Sequence, residues 1–292
     1  MALLLDEYTF RMTTATENPP PETASKRRPA PAYLFALGHA GLPVEVTAQG
    51  RTWRFVHLFK HDFFAATGLY ERVAEPAESP VRQAASPGGA APRELAVLKV
   101  QRTHPLFLLP MKWLGRRIAR HEIAIYEALQ GVEGIPAFLG RTGPTGFLHA
   151  FIPGVDLHAQ LPLTPVFFDQ LQALLQALHD RGIAYVDANK RENILYGDDG
   201  RPWLIDFQIS YLLRPHAWWN PLRRWWFRSF ARADWYHFYK HKTRLLPAIC
   251  TPAEFDRARN RGRLHRLHRF LARPLIRLRR RWLSRYHLEK TR

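Results

Sequence analysis

The chain has 292 residues, of which 46% are hydrophobic, so it is long enough to bury one large core or two smaller lobes. Its single cysteine, Cys250, excludes an internal disulfide framework and favours a reducing compartment. The formal net charge is +18, and residues 211–292 account for all of it, because they hold 22 Lys and Arg against four acids. This asymmetry predicts an anionic partner for the C-terminal part.

The N-terminal segment carries no pattern of a secretion signal. MALLLDEYTF has a short apolar stretch and acids where a signal peptide has bases, and no stretch approaches the roughly 20 apolar residues that cross a bilayer. Residues 15–32 are rich in proline and poor in large apolar side chains, so residues 1–32 are expected to be largely disordered. We expect a cytoplasmic protein, either free or peripheral on the inner face of the membrane.

Strands are predicted from Val44 onward. VEVTA, a turn at Gln49-Gly50 and TWRFVHLF have the alternation of a hairpin. Residues 60–68 are predicted to form a loop before a second strand, and this loop either covers a ligand or is a plain hairpin connection. Residues 74–93 are rich in Ala, Pro, Gly and Ser, which predicts an exposed insertion.

A buried ion pair is predicted between a strand and the helix that follows it. Strand 94–100 contains Lys99, a residue type that often lies at a sheet edge with its charge in solvent. Residues 113–130 have the period of a helix, and one face of it carries Ile118, Glu122, Ile125 and Leu129. Glu122 projects from this apolar stripe, where an unpaired carboxylate would be costly. Its predicted partner is Lys99, and Glu127 is the alternative carboxylate.

Further elements lead to the central motif. Residues 135–140 and 146–152 are predicted strands, after which Pro153-Gly154 breaks the pattern. Thr164 and Pro165 are typical of a helix start, and Gly182 of a helix stop. The apolar stripe of this helix consists of Phe168, Leu171, Leu175 and Leu178.

Residues 185–207, YVDANKRENILYGDDGRPWLIDF, predict a β-hairpin with oxygen-bearing side chains at one end. Two apolar runs are joined by an Asp-Gly turn. Asp187 and Asn193 lie on the loop that enters the hairpin, and Asp206 lies where the chain leaves it. Carboxylate and amide oxygens suit Mg²⁺, which proteins hold with one or two carboxylates together with substrate phosphates. The alternative is an ordinary hairpin with solvated turn acids.

This stretch resembles the catalytic loop and metal-binding motif of the protein-kinase-like superfamily, H-R-D-L-K-P-E-N followed by D-F-G. The sequence departs from the motif in three ways. Tyr185 and Val186 replace His-Arg, one extra residue lies between Asp187 and Lys190, and Gln208 replaces the final glycine. The resemblance implies an α+β, two-lobed fold with a mostly β N-lobe, residues 33–152, and a shortened, mostly helical C-lobe, residues 153–250.

The resemblance also implies the cofactors ATP and Mg²⁺ and a role for each matching residue. Asp187 accepts the hydroxyl proton together with Lys190 as the catalytic pair, and Asn193 and Asp206 bind the metal. The residues implied to contact or position ATP are Lys99, Glu122, Lys60 and His61 of the loop over the phosphates, and Ala150 and Ile152 of a hinge at residues 149–154.

The C-terminal region combines aromatic rings with cations. Residues 218–227 read WWNPLRRWWF, a composition favoured at a membrane interface. Residues 251–292 are predicted to form a basic amphipathic helical tail that Pro274 kinks or divides. Its apolar positions are Leu264, Leu267, Leu271, Leu275, Leu278 and Trp282. The region either attaches to an anionic membrane or glycolipid, or packs on the C-lobe with a solvated arginine face.

Within the superfamily the chain most resembles bacterial lipopolysaccharide (Kdo/heptose) kinases and atypical bacterial Ser/Thr kinase-like proteins. The resemblance implies phosphoryl transfer to a hydroxyl group, with a sugar of lipopolysaccharide or of another membrane glycolipid as acceptor. A protein Ser/Thr kinase is the alternative enzyme. A membrane-associated pseudokinase scaffold is an alternative without catalysis. Nucleic acid is the least favoured partner, because the tail lacks a recognisable nucleic-acid module.

Overall fold

The computed structural model describes residues 31–73, 93–106, 109–158 and 160–259. Three predictions fall largely outside these residues: the disordered N-terminal segment, the exposed insertion at 74–93, and the amphipathic stripe between Leu264 and Trp282. No helix in the described ranges is both long enough and apolar enough to span a bilayer.

The N-terminal part is a six-stranded antiparallel sheet with the order β1-β2-β3-β4-β6-β5. Its strands are β1 Glu45–Ala48, β2 Arg51–His61, β3 Ala65–Arg72, β4 Leu95–Gln101, β5 Phe138–Thr142 and β6 Gly146–Ala150. The predicted turn between β1 and β2 forms at Gln49 and Gly50, which both have positive φ, 49° and 75°. Two successive positive φ angles are the requirement of a tight hairpin turn whose twist matches the strands.

Helix α1, Lys112–Ala128, crosses between β4 and β5 in chain order and packs on the sheet. The predicted stripe faces inward, and Glu122, Ile125 and Leu129 are all 0% exposed. The helix approaches the end of β4 closely, because a Cβ built on Gly115 would lie 2.0 Å from the carbonyl oxygen of Arg102. Only glycine permits this contact.

The C-terminal part is mostly helical. Helix α2, Pro165–Asp180, begins as predicted, since the Thr164 hydroxyl accepts from the Phe167 amide at 3.3 Å. Helix α3, Pro221–Leu245, and helix α4, Pro252–Arg259, follow later in the chain. Short strands form two small sheets with the orders β10-β9-β7 and β11-β8. These strands are β7 Gly154–Asp156, β8 Ile183–Ala184, β9 Ile194–Gly197, β10 Pro202–Leu204 and β11 Tyr211–Leu212.

Two apolar clusters support this architecture. The smaller lies within the six-stranded sheet and includes Trp53 and Leu98. The larger contains Phe147 of the sheet, the α2 stripe and Phe238 of α3, so it continues from one part to the other. The predicted α+β fold with a mostly β N-lobe and a mostly helical C-lobe is confirmed. The sheets and helices therefore bring distant parts of the sequence to the junction between the lobes.

Candidate active site

An ion cluster lies at the junction of the lobes. Lys99 Nζ on β4 lies 2.7 Å from Glu122 Oε1 on α1 and 2.8 Å from Asp206 Oδ1 after β10. Gln101 Nε2 donates to the other oxygen of Glu122 at 2.8 Å, and the Phe207 amide also donates to this carboxylate. The side chains of Lys99 and Glu122 are 8% and 0% exposed. The cluster thus combines one cation with two carboxylates, and its members come from three separate elements.

The alternative carboxylate on the same helix lies elsewhere. Glu127 pairs with Arg141 at 3.1 Å on the surface, where both side chains are about half exposed. Glu122 rather than Glu127 is therefore the partner of Lys99, as the apolar stripe predicts.

The charges of the cluster control its protonation. Burial alone would lower the pKa of Lys99, but the charges of Asp206 and Glu122 outweigh burial and raise this pKa above its usual range. Burial would raise the pKa of Asp206, yet the charge and hydrogen bond of Lys99 lower it to about 2. Burial raises the pKa of Glu122, and Lys99 opposes that shift. At neutral pH the cluster therefore holds a charged lysine against an ionised Asp206.

The backbone around Asp206 is locked in an uncommon conformation. Asp206 has φ 62°, a region that residues other than glycine occupy at a cost and often at functional sites. The next side chain, Phe207, is 0% exposed, and its ring lies 5.1 Å from the Tyr126 ring and 5.3 Å from the Tyr185 ring. The buried ring anchors the segment, so the Asp206 carboxylate points at Lys99 with no glycine needed at position 208.

Tyr185, which stands where the kinase motif has histidine, ties the hairpin together. Its hydroxyl lies 3.0 Å from the carbonyl oxygen of Asn193 and also contacts the carbonyl oxygen of Ile205. Asn193 lies directly before β9, and Ile205 lies directly after β10. The tyrosine therefore fixes the distance between the loop that carries Asn193 and the segment that carries Asp206.

The loop before β9 carries the second candidate carboxylate. Asp187 Oδ2 accepts from Lys190 Nζ at 2.6 Å and from Asn193 Nδ2 at 2.9 Å. The Asp187 side chain is 10% exposed, whereas that of Lys190 is 54% exposed. Burial raises the pKa of Asp187, and the hydrogen bond and charge of Lys190 oppose the shift. A carboxylate whose pKa is raised is better suited to accept a proton than a strongly acidic one.

The extra residue of this loop is held by helix α3. His241 Nε2 donates to the Ala188 carbonyl at 2.8 Å, and Lys240 Nζ donates to Asn189 Oδ1 at 3.1 Å. Burial lowers the pKa of His241 to about 4, so the ring is neutral and its single N–H is available for Ala188. Sequence reasoning missed these two residues because they lie more than 50 positions after the loop.

A buried carboxylate on α3 holds the start of the same loop. Asp234 is 0% exposed and accepts from the amides of Tyr185 and Val186 at 2.7 and 2.8 Å and from His179 Nε2 at 3.0 Å. Val186 has φ 66°, so Asp234 stabilises a strained backbone directly before Asp187. Asp234 was missed too. Its signal in the sequence was its isolation, since no other acid lies between Asp206 and Glu254.

The predicted loop over the phosphates differs from the observed structure. Residues 60–68 were expected to form a loop, but only residues 62–64 lie outside β2 and β3. The reason is Asp62, whose Oδ1 accepts from the amides of Phe64 and Ala65 at 2.8 and 3.0 Å and so closes the turn without glycine. Gly68 lies within β3, where it pairs with Leu98 rather than forming a loop.

The two residues predicted to assist this loop lie in different surroundings. Lys60 pairs with Asp62 at 2.6 Å, and its charge contributes to the low pKa of Asp206. His61 does not join the cluster. Its Nε2 accepts from the Leu37 amide at 3.1 Å, and its ring lies 5.2 Å from Phe35. The prediction that His61 contacts phosphate is therefore not supported by its position.

The predicted hinge connects the two lobes. Ala150 ends β6 of the large sheet, and β7 begins at Gly154 in the other lobe. Within the described residues, the Ile152 amide has no hydrogen-bond acceptor, and its contact with nucleotide stays a prediction. His149 lies directly before the hinge. It stacks on Tyr126 at 5.4 Å, and burial lowers its pKa to about 4, so the ring is neutral at pH 7.

The residues expected to hold Mg²⁺ offer a sparse set of ligands. Among the described residues, no group of three or more His, Cys, Asp and Glu side chains is placed to hold a metal ion. Asn193 uses its Nδ2 for Asp187 and Asp206 uses its Oδ1 for Lys99, which leaves one oxygen on each side chain. One carboxylate and one amide fit Mg²⁺ that arrives with nucleotide phosphates, because the phosphates supply the remaining ligands.

Comparison with known proteins gives only a general likeness. No family model matches the chain, and no curated protein sequence matches it. Among solved structures, the Rio2 kinase from Chaetomium thermophilum has a TM-score of 0.45 and 15% identity over 72% of this chain and 64% of that chain. Its ADP/Mg²⁺-phosphoaspartate complex, from the same organism, has the same TM-score and identity over 72% of this chain and 62% of that chain. The chain thus spans less than two thirds of either kinase.

Proposed function

We propose that this protein is a kinase that uses ATP and Mg²⁺ to phosphorylate a hydroxyl group. The ion cluster carries the proposal. Lys99 and Asp206 are 107 positions apart in the chain, yet their side chains lie 2.8 Å apart beside Glu122. A buried lysine that two carboxylates keep charged is suited to bind phosphate, and a strongly acidic aspartate beside it is suited to bind a divalent cation.

Each group has a separate task in the proposed reaction. Lys99, oriented by Glu122, contacts the phosphates. Asn193 and Asp206 would hold Mg²⁺, which would neutralise phosphate charge when bound. Asp187 orients the acceptor hydroxyl and takes its proton as the acceptor oxygen bonds to the γ-phosphorus and the bond to ADP breaks. Positioning and charge neutralisation account for most of the rate in this chemistry.

The proposed acceptor is a sugar hydroxyl of lipopolysaccharide or of another membrane glycolipid on the cytoplasmic side of the membrane. Two features support this class over a protein substrate. Only residues 207–220 separate Asp206 from α3, which leaves a short segment for contacts with a peptide. The excess of basic residues after position 210 also suits an anionic acceptor.

The alternatives are a protein Ser/Thr kinase and a pseudokinase scaffold. The β2–β3 turn favours the scaffold, because its two amides that would face phosphate are already bonded to Asp62. This reading predicts nucleotide binding without transfer.

Radiolabelled ATP added to the protein with separated membrane and soluble fractions tests the proposal. We expect Mg²⁺-dependent label in the glycolipid fraction for the wild type and none for Asp187→Asn. Label in protein alone would show that the acceptor is a protein and not a glycolipid. Absence of label in every fraction, with intact ATP binding, would favour the scaffold.

A further inference from the structure

The start of helix α3 and the residues directly before it expose a group of large apolar side chains. They are Trp219 (79% exposed), Leu222 (62%), Trp225 (47%), Trp218 (45%) and Trp226 (38%). We call residues 218–226 the aromatic end of α3. Exposed apolar side chains that occur singly need no explanation, but a contiguous group marks a surface that binds something.

The rest of the helix is packed against the C-lobe. Its second half buries Asp234, His237, Phe238, His241 and Lys242, all at 8% exposure or less. The first turns contact the C-lobe through Phe230, whose ring lies 5.4 Å from Tyr211, and Phe227, whose ring lies 6.3 Å from His179. The five side chains above nevertheless remain at least 38% exposed.

The aromatic end is well ordered by its own contacts. The Asn220 side chain accepts from the amides of Leu222 and Arg223 at 3.0 and 3.2 Å, which caps the helix. The rings of Trp225 and Trp226 lie 4.8 Å apart, and Trp226 stacks on Phe230 at 5.7 Å. The Trp225 and Trp226 rings are restrained by these contacts, so less of their side-chain entropy remains to be lost when they bind a partner.

The charge around these rings is entirely positive. Arg214, Arg223, Arg224 and Arg228 are exposed, and none forms an ion pair within the described part of the chain. No acidic residue occurs between Asp206 and Asp234. A protein partner for such a surface would need an acidic, apolar face. A bilayer with anionic headgroups offers both properties together, because tryptophan rings favour the boundary between headgroups and acyl chains.

We propose that the aromatic end of α3 binds the surface of an anionic lipid bilayer. The rings enter the boundary region and the neighbouring arginines contact headgroup phosphates. The segment after Asp206 connects the active site to this surface, since the Tyr211 hydroxyl donates to the Arg223 carbonyl at 3.3 Å. Ile209, which lies between Asp206 and Tyr211 in the sequence, is 55% exposed. Delivery of a lipid-borne acceptor to Asp187 rests on the proposed kinase function, whereas membrane binding itself does not.

Vesicle flotation of the full chain tests the surface. The probe is phosphatidylcholine vesicles with and without phosphatidylglycerol, in the absence of nucleotide, so failure here leaves the kinase proposal standing. The double variant Trp219→Ala/Trp225→Ala is compared with Trp113→Ala, which removes a tryptophan that is 61% exposed on α1. We expect roughly tenfold weaker binding to anionic vesicles for the double variant and no change for Trp113→Ala.

The arginines are tested with a matched pair. Arg223→Gln/Arg224→Gln is compared with Arg116→Gln/Arg117→Gln, two adjacent exposed arginines on α1. A basic residue near an anionic surface contributes about fivefold in binding, so the first variant should lose about 25-fold and the second little. Equal losses in both pairs, or full binding by the tryptophan variant with an unchanged circular dichroism melt, would overturn the proposal.

Discussion

Helices α1 and α3 depart from the usual distribution of side chains in opposite directions. Helix α1 buries a carboxylate, Glu122, at 0% exposure, whereas Trp219, directly before the N-cap of α3, is 79% exposed. The buried carboxylate is compensated within the chain by Lys99 and Gln101. The exposed aromatic rings have no such compensation among the described residues. The contrast distinguishes a site that the protein completes itself from a surface that needs a partner.

Glu122→Gln is expected to have the largest effect on the ion cluster of Lys99, Glu122 and Asp206. A neutral amide at position 122 no longer balances the positive charge of Lys99. Lys99 then pairs with Asp206 alone and competes with the metal for the Asp206 carboxylate. We expect kcat/KM for phosphoryl transfer to fall on the order of 10²-fold. The matched control is Glu127→Gln, which changes an exposed pair on the same helix. If both variants lose the same activity, the buried position of Glu122 has no special role.

Helix α3 also contains a buried carboxylate, Asp234, whose hydrogen-bond partners lie within the chain. Its substitution tests the packed end of α3 against the exposed aromatic end. Asp234→Asn weakens the acceptor for two backbone amides and His179, so we expect the free energy of unfolding to fall by about 3 kcal/mol. Urea denaturation measures this change. Asp180→Asn, at an exposed carboxylate on α2, serves as control. A loss for Asp234→Asn no larger than that of the control contradicts the assignment.

Much of the buried site is predictable from the sequence because local periods persist in the fold. The helical stripe around Glu122 predicted the Lys99 pair, and the two apolar runs on either side of Asp198-Asp199-Gly200 predicted the hairpin. Asp234 and His241 were not predictable, since no local pattern relates them to a loop about 50 residues earlier. The connection between β2 and β3 is the plain hairpin alternative, but it was predicted too long, because no local pattern shows that the Asp62 side chain closes a turn at residues 62–64.

Buried neutral histidines on the two lobes give a pH dependence. Burial lowers the pKa of His149 and of His241 from 6.5 to about 4. The unfolded chain therefore binds these protons at higher pH than the folded protein, and the free energy of unfolding falls as pH decreases from about 6.5 to about 4. His149→Phe removes one group that binds a proton on unfolding. The free energy of unfolding should therefore depend on pH less steeply than in the wild type, by about 1.4 kcal/mol per pH unit. An unchanged slope in urea denaturation between these pH values would contradict the burial of a neutral ring.

The smallest effect is expected at the contact between α3 and the inserted loop residue. Lys240→Ala removes a hydrogen bond to Asn189 that is exposed, so we expect kcat to fall about threefold with the KM for ATP unchanged. Arg244→Ala, at an exposed position on the same helix, should leave kcat unchanged. A change in KM rather than kcat would show that Lys240 acts on nucleotide binding and not on the loop that carries Asp187.

The central claim is that Asp206, held against Lys99, forms a site for Mg²⁺ and nucleotide. Calorimetric titration of ATP into the full chain, with and without Mg²⁺, tests it most directly in the wild type and in Asp206→Asn. We predict that Mg²⁺ tightens ATP binding to the wild type and that this tightening is lost in the variant. Equal Mg²⁺ dependence in both proteins, or no ATP binding by folded wild-type protein, would contradict the account.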